Sequence, residues 1–325
     1  MIDTLAFTRR TMIAGLGAAV AAPAFGEVGK TFVSAAVMRV PVLVPTSLAS
    51  LPDIRRRNAE AMVAAIEGLM RGASPPRLIV FPVLQYVSSK RGEAGIPIDA
   101  VAVDLLAEPL DRGLFAPIVE ACRRHGCYVA TSTQEKTSRL PGRYFHTGFL
   151  MGPEGLLLRS PKTQARSAKE ISFLRDIKAE YIAAFGPDSI LPVVRTPIGT
   201  IGCYIEAEAE VLDAARLLAS RGAEIIVHPS QEDDETPWLA LKQSIAYQCQ
   251  VFLLTGTTSR TMGAAQSLAG WSGGSATIVA PDGRILAAMG GKDEGAATAA
   301  LDLDRIAAAR TRNGFKTSPA REIYG

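Results

Sequence analysis

The sequence predicts an α/β protein, a four-layer α-β-β-α sandwich in which helices cover the outer faces of two packed sheets. Apolar, strand-like runs alternate with helical patterns along most of the 325 residues. This order occurs twice, and each half ends in a hairpin with a Pro-Glu-Gly or Pro-Asp-Gly turn, at 153–155 and 281–283. Because no linker rich in Gly, Pro or Ser separates the halves, we expect one domain over residues 32–309.

The first half opens with a β-α-β pattern. Apolar residues at helical spacing, among them Met62, Ile66 and Leu69, predict a helix between two strands, and the second strand is a continuous apolar run. The predicted elements are strand 32–40, helix 53–73, strand 78–82, a helix ending near 125, and strands 127–131, 143–151 and 156–159. The polar stretch from Ser160 to Asp188 then predicts a long loop.

The second half repeats this alternation of strands and helices. Short apolar runs predict the strands, and longer segments with helical periodicity predict the helices between them. The predicted elements are strand 201–205, helix 211–221, strand 224–228, helix 237–250, strand 251–255 and the hairpin at 280–283.

The composition describes a globular protein with 48% apolar residues and a formal net charge of +3. No basic stripe with interleaved aromatic residues is present, which argues against nucleic-acid binding. The four cysteines lie in apolar stretches without metal-ligand spacing, so we expect buried structural thiols. These are Cys122, Cys127, Cys203 and Cys249. No pattern implies a cofactor.

The two ends of the chain differ from the predicted domain. In residues 1–24, Arg9 and Arg10 precede an Ala/Gly-rich run and a small-residue cleavage pattern at 22–24. This segment resembles a twin-arginine leader, which predicts export by the twin-arginine machinery to the periplasm or the cell exterior. An uncleaved anchor and a chance arginine pair are the alternatives. The polar tail at 310–325 predicts a frayed terminus, or a segment that reaches a neighbouring subunit.

Three motifs in a fixed order carry a family resemblance. They are Leu-Ile-Val-Phe-Pro at 78–82, Tyr-Phe-His-Thr at 144–147 with the turn at 152–155, and Trp-Ser-Gly-Gly-Ser at 271–275 with the turn at 281–283. Together they resemble the nitrilase (carbon-nitrogen hydrolase) superfamily over almost all of the chain after the leader. The branch that they resemble most is the aliphatic amidases and formamidases. The resemblance implies a nitrilase-like four-layer sandwich and a homo-oligomer.

The chemistry of that family needs a thiolate nucleophile, a carboxylate base and a lysine ammonium that holds the developing anion. The resemblance assigns the base to the residue after Phe81-Pro82, which here is Val83, and a valine cannot accept a proton. It assigns the ammonium to Lys162, and it assigns a second glutamate, eight residues later, to Glu170. One of the three roles has therefore lost its functional group.

The nucleophile position has also changed. The family motif Gly-x-Ile-Gly-x-x-Ile-Cys-x-Asp corresponds to 199–208, where Glu206 stands at the cysteine and Glu208 at the aspartate. The sixteen residues from Glu206 to Gly222 match the family spacing to the next strand entry. Cys203 lies three residues early, so we expect it in the core; a displaced nucleophile after a register shift is the alternative.

Other candidate residues have structural and functional interpretations. We expect Glu208 to accept backbone N–H groups, with ligand binding as its alternative role. His228 ends a strand, where it either supplies acid-base or binding chemistry or is a hydrogen-bonded structural histidine. In the family that the motifs resemble, an asparagine or similar polar residue stands where this sequence has His146, which has no assigned role. The acidic run at 231–235 predicts a solvated loop, so we expect no metal site.

Two functions remain open from the sequence. The loss of thiol and base, with a predicted Glu206–Lys162 ion pair where substrate binds in the family, indicates an inert protein that binds a small ligand or serves as an oligomer subunit. The alternative is an active hydrolase of small amide-like compounds, with Glu206 as nucleophile or base and Lys162 polarising the carbonyl. A periplasmic solute-binding module of another fold needs two lobes and a hinge, and no boundary in the sequence marks these.

Overall fold

The computed structural model describes residues 32–45, 47–84, 113–163, 172–262 and 272–313, with the backbone alone at 87–88, 96–97 and 311–313. The strands are β1 (Phe32–Leu43), β2 (Leu78–Leu84), β3 (Val87–Ser88), β4 (Ile96–Pro97), β5 (Tyr128–Lys136), β6 (Tyr144–Gly152), β7 (Gly155–Pro161), β8 (Val193–Thr196), β9 (Gly199–Cys203), β10 (Ile225–Ser230), β11 (Phe252–Met262), β12 (Ala276–Val279), β13 (Ile285–Met289) and β14 (Gly295–Asp302). The α-helices are α1 (Leu51–Met70), α2 (Ala116–His125), α3 (Lys178–Phe185), α4 (Leu212–Ser220), α5 (Glu235–Cys249) and α6 (Asp304–Asn313).

Nine strands form one continuous path in the order β7-β6-β5-β2-β1-β11-β10-β9-β8, with β14 beside β1 and β12 between β11 and β13. Strands β3 and β4 pair with each other in a separate sheet. Strands β1 and β11 run parallel at the centre of this path and join its two halves. The neighbours of β2 and β10 are also parallel, and parallel neighbours require crossover connections, which the helices supply.

The two halves of the path pack face to face as two layers. Apolar residues from β1, β2, β5 and β6 and from β9, β10 and β11 share one buried cluster between the layers. A second cluster lies between the first half and helices α1 and α2, and a third between the second half and helices α4 and α5. The predicted four-layer α-β-β-α sandwich is therefore confirmed.

The predicted long loop from Ser160 to Asp188 was wrong at its start and in its second part. Strand β7 continues to Pro161, and residues 178–185 form helix α3. The helix is held by packing: the Tyr181 ring meets the Phe145 ring edge-on, with 5.7 Å between the centroids. A helix of this length depends on tertiary contacts rather than on a repeating sequence pattern.

The acidic run was also only partly interpreted correctly. Asp234 is exposed and caps helix α5, which begins at Glu235, two residues before the predicted start. Glu232, however, is buried and ion-paired with the buried Lys242 at 2.9 Å. The single charge pattern therefore combined a helix cap with an internal ion pair.

Helix α6 crosses the predicted boundary between domain and tail, because it extends from Asp304 to Asn313. Arg310 Nη2 donates to the Ala223 carbonyl oxygen at 3.0 Å, so the start of the tail is attached to its own domain. Residues 314–325 and the predicted leader lie outside the described residues. Within the described ranges, no helix is long and apolar enough to cross a membrane.

Candidate functional site

The candidate site lies between the two sheet layers, at the ends of β5, β6, β7 and β9. Alternation along β5 places Ser132 on the inner face, and its register partners are Val83 on β2 and Gly148 on β6. Two residues further along β5, Gln134 is paired with His146. The first layer thus presents two rows of inner-face residues to the second layer. One row is Val83, Ser132 and Gly148, and the other is Gln134 and His146.

Glu206 faces these rows from the second layer. It directly follows Ile205 after the end of β9, and it begins a short 3₁₀-helix, residues 206–210. Its φ of 49° lies in the left-handed region, which a residue with a Cβ occupies only when its surroundings enforce it. Such strained residues cluster at functional sites, and this one carries a carboxylate at the predicted nucleophile position.

The predicted ion pair is present. Lys162 Nζ lies 2.5 Å from Glu206 Oε2, and the two side chains are 10% and 16% exposed. Burial raises the pKa of Glu206, but the Lys162 ammonium outweighs this, and the pKa is lowered to about 2. Glu206 is therefore a carboxylate at neutral pH, and its charge is balanced by Lys162.

Lys162 is placed by its backbone. Its N–H donates to the His146 carbonyl oxygen at 2.8 Å, which extends the β6–β7 pairing by one residue. Glu208 fixes the next residue, since its Oε1 accepts from the Thr163 N–H at 2.7 Å and from the Thr163 hydroxyl at 2.6 Å. Its Oε2 accepts from the Ile205 N–H at 3.1 Å. Glu208 thus ties the segment after Lys162 to the residue before Glu206.

Val83, at the predicted base position, is 1% exposed and has no group that can take a proton. Its register partner Ser132 is also buried. The floor of the site at this point therefore consists of a methyl surface and a hydroxyl group instead of a carboxylate.

His146 is the residue whose role the sequence did not reveal. Its Nδ1 lies 3.5 Å from Glu206 Oε2, and its Nε2 lies 3.2 Å from Ser132 Oγ. Burial lowers the pKa of His146 to about 4, against the opposing effect of the Glu206 charge. The imidazole is therefore neutral at pH 7 and links a carboxylate to a hydroxyl.

His228 is a hydrogen-bonded histidine with both ring nitrogens occupied. Its Nε2 lies 3.0 Å from the Glu206 carbonyl oxygen, and its Nδ1 lies 3.1 Å from Thr255 Oγ1. Because a carbonyl oxygen only accepts, Nε2 carries the hydrogen. Burial lowers the pKa of His228 to about 3. His228 therefore holds the backbone of Glu206 in place, and a ligand-binding role for it stays a prediction.

Cys203 lies in the core, as expected. Gly148 allows this close approach of the two layers, since a Cβ added there would lie 2.6 Å from Cys203 Sγ. Burial raises the pKa of the Cys203 thiol far above its usual range, so no thiolate forms there. The displaced-nucleophile alternative is not supported by this geometry. Glu170 lies outside the described residues.

Known proteins are similar to this chain in sequence and in fold. The family model of the carbon-nitrogen hydrolases matches residues 54–311, which is most of the chain. The chain belongs to the carbon-nitrogen hydrolase family. The resemblance found in the sequence motifs is thereby confirmed.

Relatives with assigned activities are amidases. The chain is 26% identical over 186 residues to "Omega-amidase NIT2-A" of Xenopus laevis, covering 56% of this chain and 65% of that protein. It is 27% identical over 234 residues to an "(R)-stereoselective amidase" of a Pseudomonas species, covering 72% of this chain and 76% of that protein. The match thus spans slightly less than two thirds of the first relative.

Solved structures of the family agree in fold. Saccharomyces cerevisiae Nit3, described as a member of branch 10 of the nitrilase superfamily, aligns with a TM-score of 0.64 and 16% identity over 89% of this chain and 97% of that one. A mutant of the Nesterenkonia AN1 amidase aligns with a TM-score of 0.59 and 19% identity over 90% of this chain and 100% of that one. At these identities the likeness concerns the fold.

This carbon-nitrogen hydrolase family member holds a site with acceptor and donor groups but no reactive thiol. Glu206 and Lys162 supply a fixed pair of charges, and His146 and Ser132 supply a neutral base and a hydroxyl. Within the described ranges, no group of three or more His, Cys, Asp or Glu side chains is placed to hold a metal ion.

Proposed function

We propose that this carbon-nitrogen hydrolase family member does not carry out thiol-dependent amide hydrolysis, and that its site binds a small, neutral, amide-like molecule. The observation that carries the proposal is the Lys162–Glu206 ion pair of 2.5 Å at the position where the family resemblance puts the nucleophile. The buried Val83 at the base position supports the same conclusion.

The chemistry of thiol-dependent catalysis fails at two steps in this site. Without a thiol, no thioester forms, and without a carboxylate at position 83, no base activates water there. Loss of such groups removes about three to six orders of magnitude of rate. The remaining thiol near the site, Cys203, has a pKa that burial raises too far for a nucleophile.

The charge balance of the site favours a neutral ligand, because the Glu206 carboxylate and the Lys162 ammonium compensate each other. Two further polar side chains, Gln134 and Ser160, lie on the same sheet face. Both polar atoms of the Gln134 amide, which is 1% exposed, and the buried Ser160 hydroxyl have no hydrogen-bond partner in the part of the chain that the structure describes. A buried unpartnered group costs about 1–3 kcal/mol, and a ligand with both donor and acceptor atoms relieves that cost.

A primary amide or carbamoyl group carries one acceptor and two donor hydrogens in a plane, which suits the Gln134 amide. The relatives are named as amidases, which supports an amide as the ligand class. The alternative function, hydrolysis with Glu206 as nucleophile or base and Lys162 as electrophile, is favoured by the strained φ of 49° at Glu206. A role as an oligomer subunit, and export to the periplasm or cell exterior, stay predictions.

The test combines binding and turnover on the purified full chain. Calorimetric titration with acetamide, propionamide and methyl carbamate should give saturable binding that Gln134→Leu weakens about tenfold or more. Ammonia release from these amides, measured as the assay of hydrolysis, should show no component that iodoacetamide inhibits. Iodoacetamide-sensitive amide turnover contradicts the loss of thiol chemistry, whereas absence of binding for every amide contradicts the ligand class. Turnover that Glu206→Ala abolishes and Ser132→Ala leaves intact supports the alternative.

A further inference from the structure

Two neighbours of His146 favour one tautomer of its neutral imidazole. Glu206 Oε2 lies 3.5 Å from Nδ1, an ion-pair distance longer than an ordinary hydrogen bond, and because a carboxylate only accepts, it favours the hydrogen on Nδ1. The lone pair is then on Nε2, and Ser132 Oγ, at 3.2 Å, donates its hydrogen to it. The order of groups is hydroxyl, imidazole and carboxylate, joined through the same imidazole atoms as in serine hydrolases.

From this geometry we propose that Ser132, His146 and Glu206 form a serine-type nucleophilic triad that acylates and deacylates with small acyl compounds. Ser132 is the nucleophile, His146 the base, and Glu206 a positioning residue that fixes the tautomer of His146. The proposal rests on the proposed function in one respect, because the same site has to admit a small carbonyl compound.

The residues at the two changed family positions, Glu206 and Val83, fit this assignment. Lys162 and His146 share Oε2 of the carboxylate at 206. Val83, the register neighbour of Ser132, leaves the serine hydroxyl with His146 Nε2 as its hydrogen-bond acceptor. The distances from His146 Nε2 to Ser132 Oγ, 3.2 Å, and from His146 Nδ1 to Glu206 Oε2, 3.5 Å, exceed those of a tight triad, as is common in the absence of substrate.

The reaction balances with water as the only co-reactant. Ser132 Oγ forms a bond to the acyl carbon, and its proton passes to His146 Nε2. The tetrahedral intermediate then breaks its bond to the leaving alcohol or amine, which takes the proton from Nε2. Water attacks the acyl-serine, gives its proton to Nε2, and the acid leaves as Ser132 Oγ recovers that proton. Lys162 and the Gln134 amide are the donors available on this face for the oxyanion.

Burial sets the class of substrate. Ser132 is 0% exposed, whereas Glu206 and Lys162 are 16% and 10% exposed and form the solvent side of the site. We therefore assign the triad to the shortest acyl groups, such as formyl, acetyl and propionyl, carried on esters or amides.

The experiment uses the full chain with 4-nitrophenyl acetate as substrate and methanesulfonyl fluoride as a small covalent probe. Labelled protein is digested, and the modified residue is located by mass spectrometry. We expect a sulfonyl adduct on Ser132 and ester hydrolysis whose kcat/KM falls about a thousandfold or more in Ser132→Ala. Ser275→Ala, a matched change at another buried serine whose Oγ has no partner among the described residues, should leave the rate unchanged.

A second readout separates the triad from a structural role. His146→Gln should lower kcat/KM about a thousandfold and remove the acid limb from the pH–rate profile of the residual activity, while circular dichroism shows a folded protein. A sulfonyl adduct elsewhere or nowhere, with amide binding intact, overturns the triad and leaves the proposed function standing. Turnover that survives Ser132→Ala but not Glu206→Gln overturns it in favour of the carboxylate mechanism. Absence of both binding and labelling overturns both proposals.

Discussion

Lys162 Nζ and Glu206 Oε2 are 2.5 Å apart, and each side chain is largely withdrawn from solvent. The pair joins Lys162, the residue after β7, to Glu206, three residues after the end of β9, so it links the two sheet layers as well as neutralising the site. Glu208 reinforces the same link through Thr163 and Ile205. The ion pair is therefore part of the fold at this edge of the sandwich.

Removing one partner of this pair should destabilise the protein more than removing both. Lys162→Met leaves the Glu206 carboxylate without its counter-charge, and we expect a loss of about 3–5 kcal/mol in the free energy of unfolding. The double variant Lys162→Met/Glu206→Gln should recover part of that loss. Urea unfolding of the two single variants and the double variant measures the coupling. Additive single losses contradict a direct ion pair.

Stability should fall with acid below pH 6.5 because two histidines are neutral in the folded protein. Burial lowers the pKa of His146 to about 4 and that of His228 to about 3, from 6.5. The unfolded chain therefore binds protons first, so stability present above pH 6.5 is lost as pH falls towards those values. The slope is at most about 1.4 kcal/mol per pH unit for each histidine.

Other groups act on the same range, so a variant isolates the histidine contribution. Burial raises the pKa of Glu208 and of Glu232, which opposes the acid loss, while Glu206 adds to it only below about pH 4.5, its ordinary pKa. The difference between the protein and His146→Gln in denaturant unfolding between pH 6.5 and 4.5 reports His146. Equal slopes in both proteins contradict a buried neutral His146.

Gly148 should tolerate no side chain, because the two layers meet there. A Cβ would lie 2.6 Å from Cys203 Sγ and 2.7 Å from Ile205 Cγ2. We expect Gly148→Ala to lower the free energy of unfolding by about 1–3 kcal/mol. Adding Cys203→Ala removes one of the two clashes and should restore part of the loss, as measured by thermal unfolding. A neutral Gly148→Ala contradicts this close packing.

The Cys203 thiol should not react with alkylating reagents in the folded protein. Its side chain is fully buried, and burial raises the pKa of the thiol far above its usual range. Under native conditions iodoacetamide should leave Cys203 unlabelled, whereas denaturant should expose it to full labelling by mass spectrometry. Cys203→Ala should leave amide binding unchanged. Rapid native labelling at this position revives the displaced-nucleophile alternative.

Sequence reasoning located the parts of the site that depend on position along the chain. The family resemblance assigned Lys162 after the hairpin and Glu206 in the nucleophile motif, with the spacing to Gly222 as a check on Glu206, and the structure brings the two together as an ion pair. Glu208 was expected to accept backbone N–H groups, and it accepts those of Ile205 and Thr163.

What sequence reasoning missed depends on contacts across strands. Ser132 belongs to no motif, and its approach to His146 follows from the pairing of β5 with β6 and from which face each residue occupies. Knowing the register in advance could have found it, since Gln134 opposes His146 and Ser132 lies two residues away on the same face. The same limit applies to Glu232, whose charge is buried against Lys242 on the next helix.

The most direct test of the central claim restores the groups that thiol chemistry needs. The double replacement Glu206→Cys/Val83→Glu puts a thiol and a carboxylate at the two changed positions, with Lys162 left in place. We predict that amide hydrolysis blocked by iodoacetamide appears in this variant and is absent from the unmodified protein and from Glu206→Cys alone. Iodoacetamide-sensitive amide hydrolysis by the unmodified protein contradicts the claim.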